Sequence, residues 1–185
     1  MVKVMPKIIK GGEPIFIDKK SKIGVLMLHG FSSTPDQFKE LSLFFSEKGF
    51  TVYAPLITGH GTSPEDLRQT TSNDWTVSVR SAYIKLREKS EKIFFIGNSF
   101  GSNLALWLIK EFNNEPIGVV TLAAPIFLKN HLFILLRLYS YGLFKTYYHK
   151  PPRLYGTDNI DMEDEVTYSF IPIRSLRYFL NFIRL

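Results

Sequence analysis

A chain of 185 residues, 45% apolar and 22% charged, is long enough for one domain with a buried core and has the composition of an ordinary globular protein. The absence of cysteine excludes disulfides and thiolate metal sites, and the longest apolar stretch, residues 132–144, is too short to span a membrane and is broken by Arg137. The formal charge of +6 invites a nucleic-acid partner, but Glu88 and Glu91 interleave with the cations of residues 80–92 in the manner of a solvated helix face, and no nucleic-acid-binding motif accompanies them. The first seven residues lack the apolar run of a secretory signal, so the expectation is a cytoplasmic protein.

In chain order, residues 23–28 form a short apolar run ending at His29-Gly30 and predict a strand. Ser33-Thr34-Pro35 starts a helix, with proline suited to its first turn. Phe38, Leu41, Phe44 and Phe45 give that helix an apolar face, and Gly49 ends it. Residues 50–57 read as the next strand, followed by a loop, Gly59-His60-Gly61-Thr62-Ser63-Pro64. Ser72 or Asn73 caps a helix that reaches about Ser90. A strand over residues 92–96, a helix over 99–112 and a buried strand over 117–122 follow, closed by Ala123-Ala124-Pro125. Repeated strand–helix–strand units predict an α/β domain with a doubly wound, mostly parallel sheet over residues 1–125.

After Pro125 the character changes. Residues 126–185 hold 13 of the 27 aromatic residues, and no Asp or Glu occurs between Pro116 and Thr157. Helices are expected over residues 131–144 and 173–184, with Pro151-Pro152 between them. The segment reads as an apolar, basic helical insertion rather than more sheet. Its acid-free stretch would suit contact with an anionic lipid surface, although solvated lysines are the ordinary reading of such a stretch.

The most informative stretch is Gly97-Asn98-Ser99-Phe100-Gly101. Three fixed positions of this kind match by chance in roughly 6% of chains this long, so the context has to carry the argument. Before it runs Lys92-Ile93-Phe94-Phe95-Ile96, a buried-strand sequence; after it runs a good helix sequence. A serine on a sharp strand-to-helix turn is a nucleophile elbow. Gly97 and Gly101 serve a turn where strand and helix backbones pass close enough for a Cβ to clash. The helix N-terminus directs positive partial charge to the same place.

The order and spacing of Gly24-Val25-Leu26-Met27-Leu28-His29-Gly30-Phe31, Tyr53-Ala54-Pro55 with Gly59-His60-Gly61, and the elbow resemble the α/β-hydrolase superfamily. The nearest likeness is to carboxylesterases of the monoacylglycerol-lipase-like group, over about residues 12–185, with Ile171-Pro172-Ile173-Arg174-Ser175-Leu176 similar to the end of that group's cap. The resemblance implies a helical cap over residues 126–185 and a serine esterase for short-to-medium acyl esters, without metal or organic cofactor. It implies that Ser99 is the nucleophile and that the backbone N–H groups of Phe31 and Phe100 stabilise the oxyanion, leaving both phenyl rings free to line an acyl pocket. It gives His29 a structural role in shaping the oxyanion loop.

The resemblance also implies an acid and a base after the cap, in the order Ser, Asp or Glu, His. Residues 1–185 contain neither of the last two strands that carry them. After Ser99 the histidines are His131 and His149, and Glu111 is about 18 Å away along the helix that Ser99 opens. Asp158, Asp161 and Asp164 have no histidine after them. The expectations are therefore threefold: part of an ordinary esterase, a subunit completed by a second polypeptide or oligomer that also covers the apolar sheet edge at residues 117–122, or a binding module without hydrolytic activity. A thioesterase or an acyltransferase would use the same fold.

Overall fold

The computed structural model describes residues 6–113, 115–150 and 167–183. Five strands make the main sheet: β1 (Ile15–Ile17), β2 (Ile23–Leu28), β3 (Thr51–Ala54), β4 (Lys92–Asn98) and β5 (Gly118–Leu122). They lie in the order β1-β3-β2-β4-β5, and every pairing is parallel except that of β1 with β3. The strand β1 has no counterpart in the sequence reading, because three half-buried residues are too few to show a period.

The crossovers follow from local chemistry. A 3-10 turn (Pro35–Phe38) leads into α1 (Lys39–Glu47), with Pro35 in the first turn as expected. Phe38, Leu41 and Phe45 pack on Val25 and Met27, whereas Phe44 points outward beneath the Lys48 ammonium. Two helices, α2 (Pro64–Gln69) and α3 (Ser72–Arg87), lie between β3 and β4. The short α2 starts inside the expected loop region: Ser63 accepts from the Asp66 N–H, and Pro64 fills the first turn. The cap of α3 is Thr71, one residue before the sequence estimate, because only Thr71 has Asp74 at the reciprocal position of a capping box. Thr71→Ala should lower stability by about 1 kcal/mol, read as a shift in the urea midpoint at unchanged slope.

Alternation along β2 divides the core. Val25 and Met27 face α1, while Leu26 and Leu28 join Trp75, Tyr83, Phe95 and Leu104 on the side of α3 and of α4 (Phe100–Glu111). The other margin of the sheet is β5, where Val120 and Leu122 are exposed.

Residues beyond β5 are mixed rather than wholly helical, a correction to the sequence reading. Two helices, α5 (His131–Gly142) and α6 (Ile173–Phe182), accompany a separate antiparallel pair, β6 (Tyr147–His149) and β7 (Phe170–Pro172). Tyr147, Tyr148 and Phe170 are aromatic residues suited to strands, but runs of three give no readable alternation. The helix α6 packs between α5 and the pair α2 and α3. Ser175 donates to the Leu67 carbonyl at 2.8 Å, and Tyr147 donates to Glu65 at 2.6 Å, so both elements are tied to α2.

Candidate active site

Ser99 is the single residue between β4 and α4 and is held at φ 50°, ψ −116°. That is the left-handed half of the backbone map, which costs a non-glycine residue about 1–3 kcal/mol and persists only where the surroundings impose it. Here the Ser99 N–H donates to the Leu122 carbonyl at 2.7 Å and the Ser99 carbonyl accepts from Ser102 at 2.9 Å. The Ser102 hydroxyl adds a bond to the Gly97 carbonyl at 2.7 Å. The flanking glycines are sterically required. A Cβ on Gly97 would lie 2.5 Å from the Gly101 carbonyl oxygen, and a Cβ on Gly101 would collide with the Leu28 carbonyl. Ser99 itself is half-buried.

The loop after β2 comes up against this turn: a Cβ built on Gly30 would lie 3.7 Å from the Ser99 Cβ. Five contacts hold the loop. The Gly30 N–H donates to Gln37 Oε1 at 3.0 Å, and the Gly30 carbonyl accepts from the Ser33 N–H at 3.2 Å and from His29 Nδ1 at 2.9 Å. From beyond the loop, the Ser32 carbonyl accepts from the Thr167 hydroxyl at 2.9 Å and the Tyr168 N–H at 3.1 Å. Phe31 lies inside this brace. Phe100 is the first residue of α4, where an N–H has no acceptor within its own helix.

The aromatic rings differ from expectation. Phe100 is fully buried and packs on Phe31, Trp75, His60, Phe179 and Phe182. Its ring is core, not the wall of an acyl pocket. Phe31 is half-buried and stacked on Phe179 of α6 at 5.0 Å. Phe179 and Phe182 of α6 thus pack on the rings of the two residues, Phe31 and Phe100, that flank the elbow.

His29 is fully buried with both ring nitrogens engaged: Nδ1–H donates to its neighbour's carbonyl and Nε2 accepts the Ile57 N–H at 3.1 Å. Burial, then the neighbouring His60 ring, push its pKa down to about 3. His60 is buried among rings and lowered to about 4, chiefly by burial. Both are neutral crosslinks of the loop region and weak bases. Elsewhere, His131 Nε2 bonds the Leu180 carbonyl and His149 packs on Phe170. Glu111 and Glu115 pair with Arg80 and Arg87 at the far end of α4. Among the described residues, then, no histidine–carboxylate pair meets Ser99. Asp158, Asp161 and Asp164 lie outside the described residues.

A strained serine between strand and helix, set beside a braced loop from the neighbouring parallel strand, is an α/β-hydrolase arrangement. Residues 19–168 match the Hydrolase_4 family, described as serine aminopeptidase, S33. The chain belongs to this family. Among relatives of this chain, a thermostable monoacylglycerol lipase of Bacillus sp. (strain H-257) is 35% identical over 119 residues, covering 64% of this chain and 47% of that protein. A carboxylesterase of Bacillus subtilis (strain 168) is 33% identical over 129 residues, covering 69% of this chain and 51% of that one. A solved structure described with the metagenome-derived lipolytic enzymes LipS and LipT superposes with a TM-score of 0.84 at 26% identity, covering 96% of this chain and 70% of that one. The chain thus spans about half the length of the curated relatives it matches.

Within the candidate site, sequence reasoning missed Gln37, Thr167 and Tyr168. The Tyr168 hydroxyl accepts the Thr62 N–H at 2.8 Å and donates to the Gly59 carbonyl at 3.0 Å, while its own N–H serves the Ser32 carbonyl. It joins two loops more than 100 residues upstream, and no local pattern announces such a contact. Among the described residues no group of three or more His, Asp or Glu side chains could hold a metal, and no helix is long and apolar enough to cross a membrane.

Proposed function

We propose that this chain carries the nucleophile half of a carboxylic ester hydrolase, with Ser99 forming the acyl-enzyme. The observation that carries this reading is the strained Ser99 elbow, with the Gly30 loop so near that a Cβ built on Gly30 would lie 3.7 Å from the Ser99 Cβ. Ser99 Oγ attacks the ester carbonyl carbon while its proton passes to a base. The carbonyl oxygen gains charge, and the backbone N–H groups of Phe31 and Phe100 stabilise it; losing one such donor costs about 100-fold or more in turnover. The alcohol departs with the proton, and water then hydrolyses the acyl-serine. The relatives' names and the apolar segment over the elbow favour short-to-medium acyl esters and monoacylglycerols as substrates. Because burial holds His29 and His60 neutral and both ring nitrogens of His29 are engaged, the base and its orienting acid come from polypeptide outside the described residues, and that polypeptide covers the exposed β5 margin.

The isolated 185-residue chain should react only slowly with a fluorophosphonate, at Ser99, and hydrolyse p-nitrophenyl butyrate at close to background. Adding a polypeptide that supplies the last strands, with Asp and His, should raise both rates, and Ser99→Ala should abolish both. Labelling that survives Ser99→Ala would remove Ser99 as nucleophile. Rapid turnover by the isolated chain, lost on Ser99→Ala, would show that the base lies within these residues.

A further inference from the structure

Ser32, like Ser99, is a serine with a left-handed backbone, at φ 63°. It is the third residue of a turn that the Ser33 N–H closes on the Gly30 carbonyl at 3.2 Å, a place where positive φ belongs to a type II turn and glycine is the usual occupant. A Cβ makes this conformation costly, so the surroundings must hold it. What holds it comes from 135 residues further along the chain. The buried Ser32 carbonyl accepts from the Thr167 hydroxyl at 2.9 Å and from the Tyr168 N–H at 3.1 Å.

Both holding residues are committed by their own partners. Lys150 Nζ, which can only donate, lies 3.0 Å from the Thr167 oxygen, so the single proton of that hydroxyl goes to Ser32. The Tyr168 hydroxyl accepts the Thr62 N–H and donates to the Gly59 carbonyl, on either side of His60. The His60 ring packs edge-on against Phe31 at 5.7 Å. Two consecutive residues therefore reach the Phe31 loop by two routes, through the Ser32 carbonyl and through the ring packed on Phe31.

Peptide planarity carries the first route to the oxyanion donor. In a trans peptide the N–H and C=O share a plane and point opposite ways. Holding the Ser32 carbonyl thus aims the Ser33 N–H, which bonds the Gly30 carbonyl. Holding the Gly30 carbonyl in turn aims the Phe31 N–H. We infer that Thr167 and Tyr168 are positioning residues for the oxyanion: through two linked peptide planes they direct the Phe31 N–H towards the carbonyl that Ser99 attacks. The inference rests on the reading of Ser99 as nucleophile and Phe31 as donor. Neither Thr167 nor Tyr168 touches the reacting atoms.

The test uses the 185-residue chain and a fluorophosphonate, whose phosphoryl oxygen takes the oxyanion's place as it reacts with Ser99. Thr167→Val and Tyr168→Phe should each lower the maximal labelling rate about fivefold, with the half-saturating concentration within about twofold, as for an interaction made in the transition state. Amide exchange at Ser33, read by NMR in the same variants, should quicken about fivefold beyond any change at the amides of β4. Tyr147→Phe removes a hydroxyl bond from the same segment to Glu65 and should leave both readings unchanged. Ser32→Gly should restore Thr167→Val to within about twofold in both, because glycine takes the left-handed conformation freely. Indifference of labelling and Ser33 exchange to both substitutions would overturn the inference. So would an equal loss in Tyr147→Phe, which would make the effect one of general stability, or a raised half-saturating concentration at unchanged maximal rate, which would make these groups contacts of the probe. Labelling that survives Ser99→Ala would instead remove the nucleophile reading and the positioning role with it, while Ser33 exchange would still decide whether the two residues hold the turn.

Discussion

Gly101→Ala should cost about 4 kcal/mol or more, enough to unfold a domain of ordinary stability or leave it insoluble. The new methyl has nowhere to go. Its neighbours are the Leu28 and His29 carbonyl groups at the end of β2, which are backbone and cannot rotate away as a side chain would. Relief requires α4 to lift from the sheet, which would pull Ser102 off the Gly97 and Leu122 carbonyls and release the strain stored at Ser99. Gly49→Ala is the proper comparison. Gly49 has φ +85° with nothing within 4 Å of its would-be Cβ, so that substitution tests backbone strain without collision and should cost about 1–2 kcal/mol. Urea midpoints of the two variants give the answer. If Gly101→Ala is no worse than Gly49→Ala, the close approach of helix and strand at the elbow is not what requires the glycine.

That difference between two glycines also shows what the sequence makes legible. Gly97, Ser99 and Gly101 are readable because a strand run, a turn and a helix run meet in consecutive residues, so the whole constraint is local. The alternation of strands and crossover helices is legible for a similar reason, since each helix has its own period and stop signal, but the order of the strands in the sheet is not. The loop brace was not. Gln37 reaches back seven residues to Gly30, and Tyr168 reaches loops at Ser32 and Gly59 across more than 100 residues. Only folding brings those atoms together, and a tyrosine in an aromatic segment looks like packing until its hydroxyl is placed. Phe100 shows the converse. Its backbone role is fixed by position beside Ser99, but its ring direction is set by Trp75 of α3 and by Phe179 and Phe182 of α6, from two other parts of the chain.

Stability should fall steeply as pH drops from 6.5 towards 4, and the two buried histidines are the reason. In the unfolded chain both titrate near 6.5. In the fold they are held at about 3 for His29 and about 4 for His60, by burial above all. Above pH 6.5 neither state binds these protons, so stability is independent of them. Below it, the unfolded chain gains protons that the fold refuses, and each histidine removes about 1.4 kcal/mol per pH unit. Together they remove about 2.7 kcal/mol per unit until His60 begins to charge near pH 4. The refusal has a structural basis: a proton on His29 Nε2 would face the Ile57 N–H that already points there, and His60 Nε2 is buried with no polar partner among the described residues. The rings are 5.2 Å apart, so charging one opposes charging the other. Glu65 does not confuse the window. Its carboxylate is held down to about 2 by Arg68 first and Tyr147 second, so its contribution is lost only below about 4.5. Urea midpoints measured between pH 7.5 and 4.5 should therefore follow the histidine slope, and His60→Phe should roughly halve it. A flat profile across that range would mean that the fold admits the protons, and that the loop beside Ser99 opens to water far more readily than its packing implies.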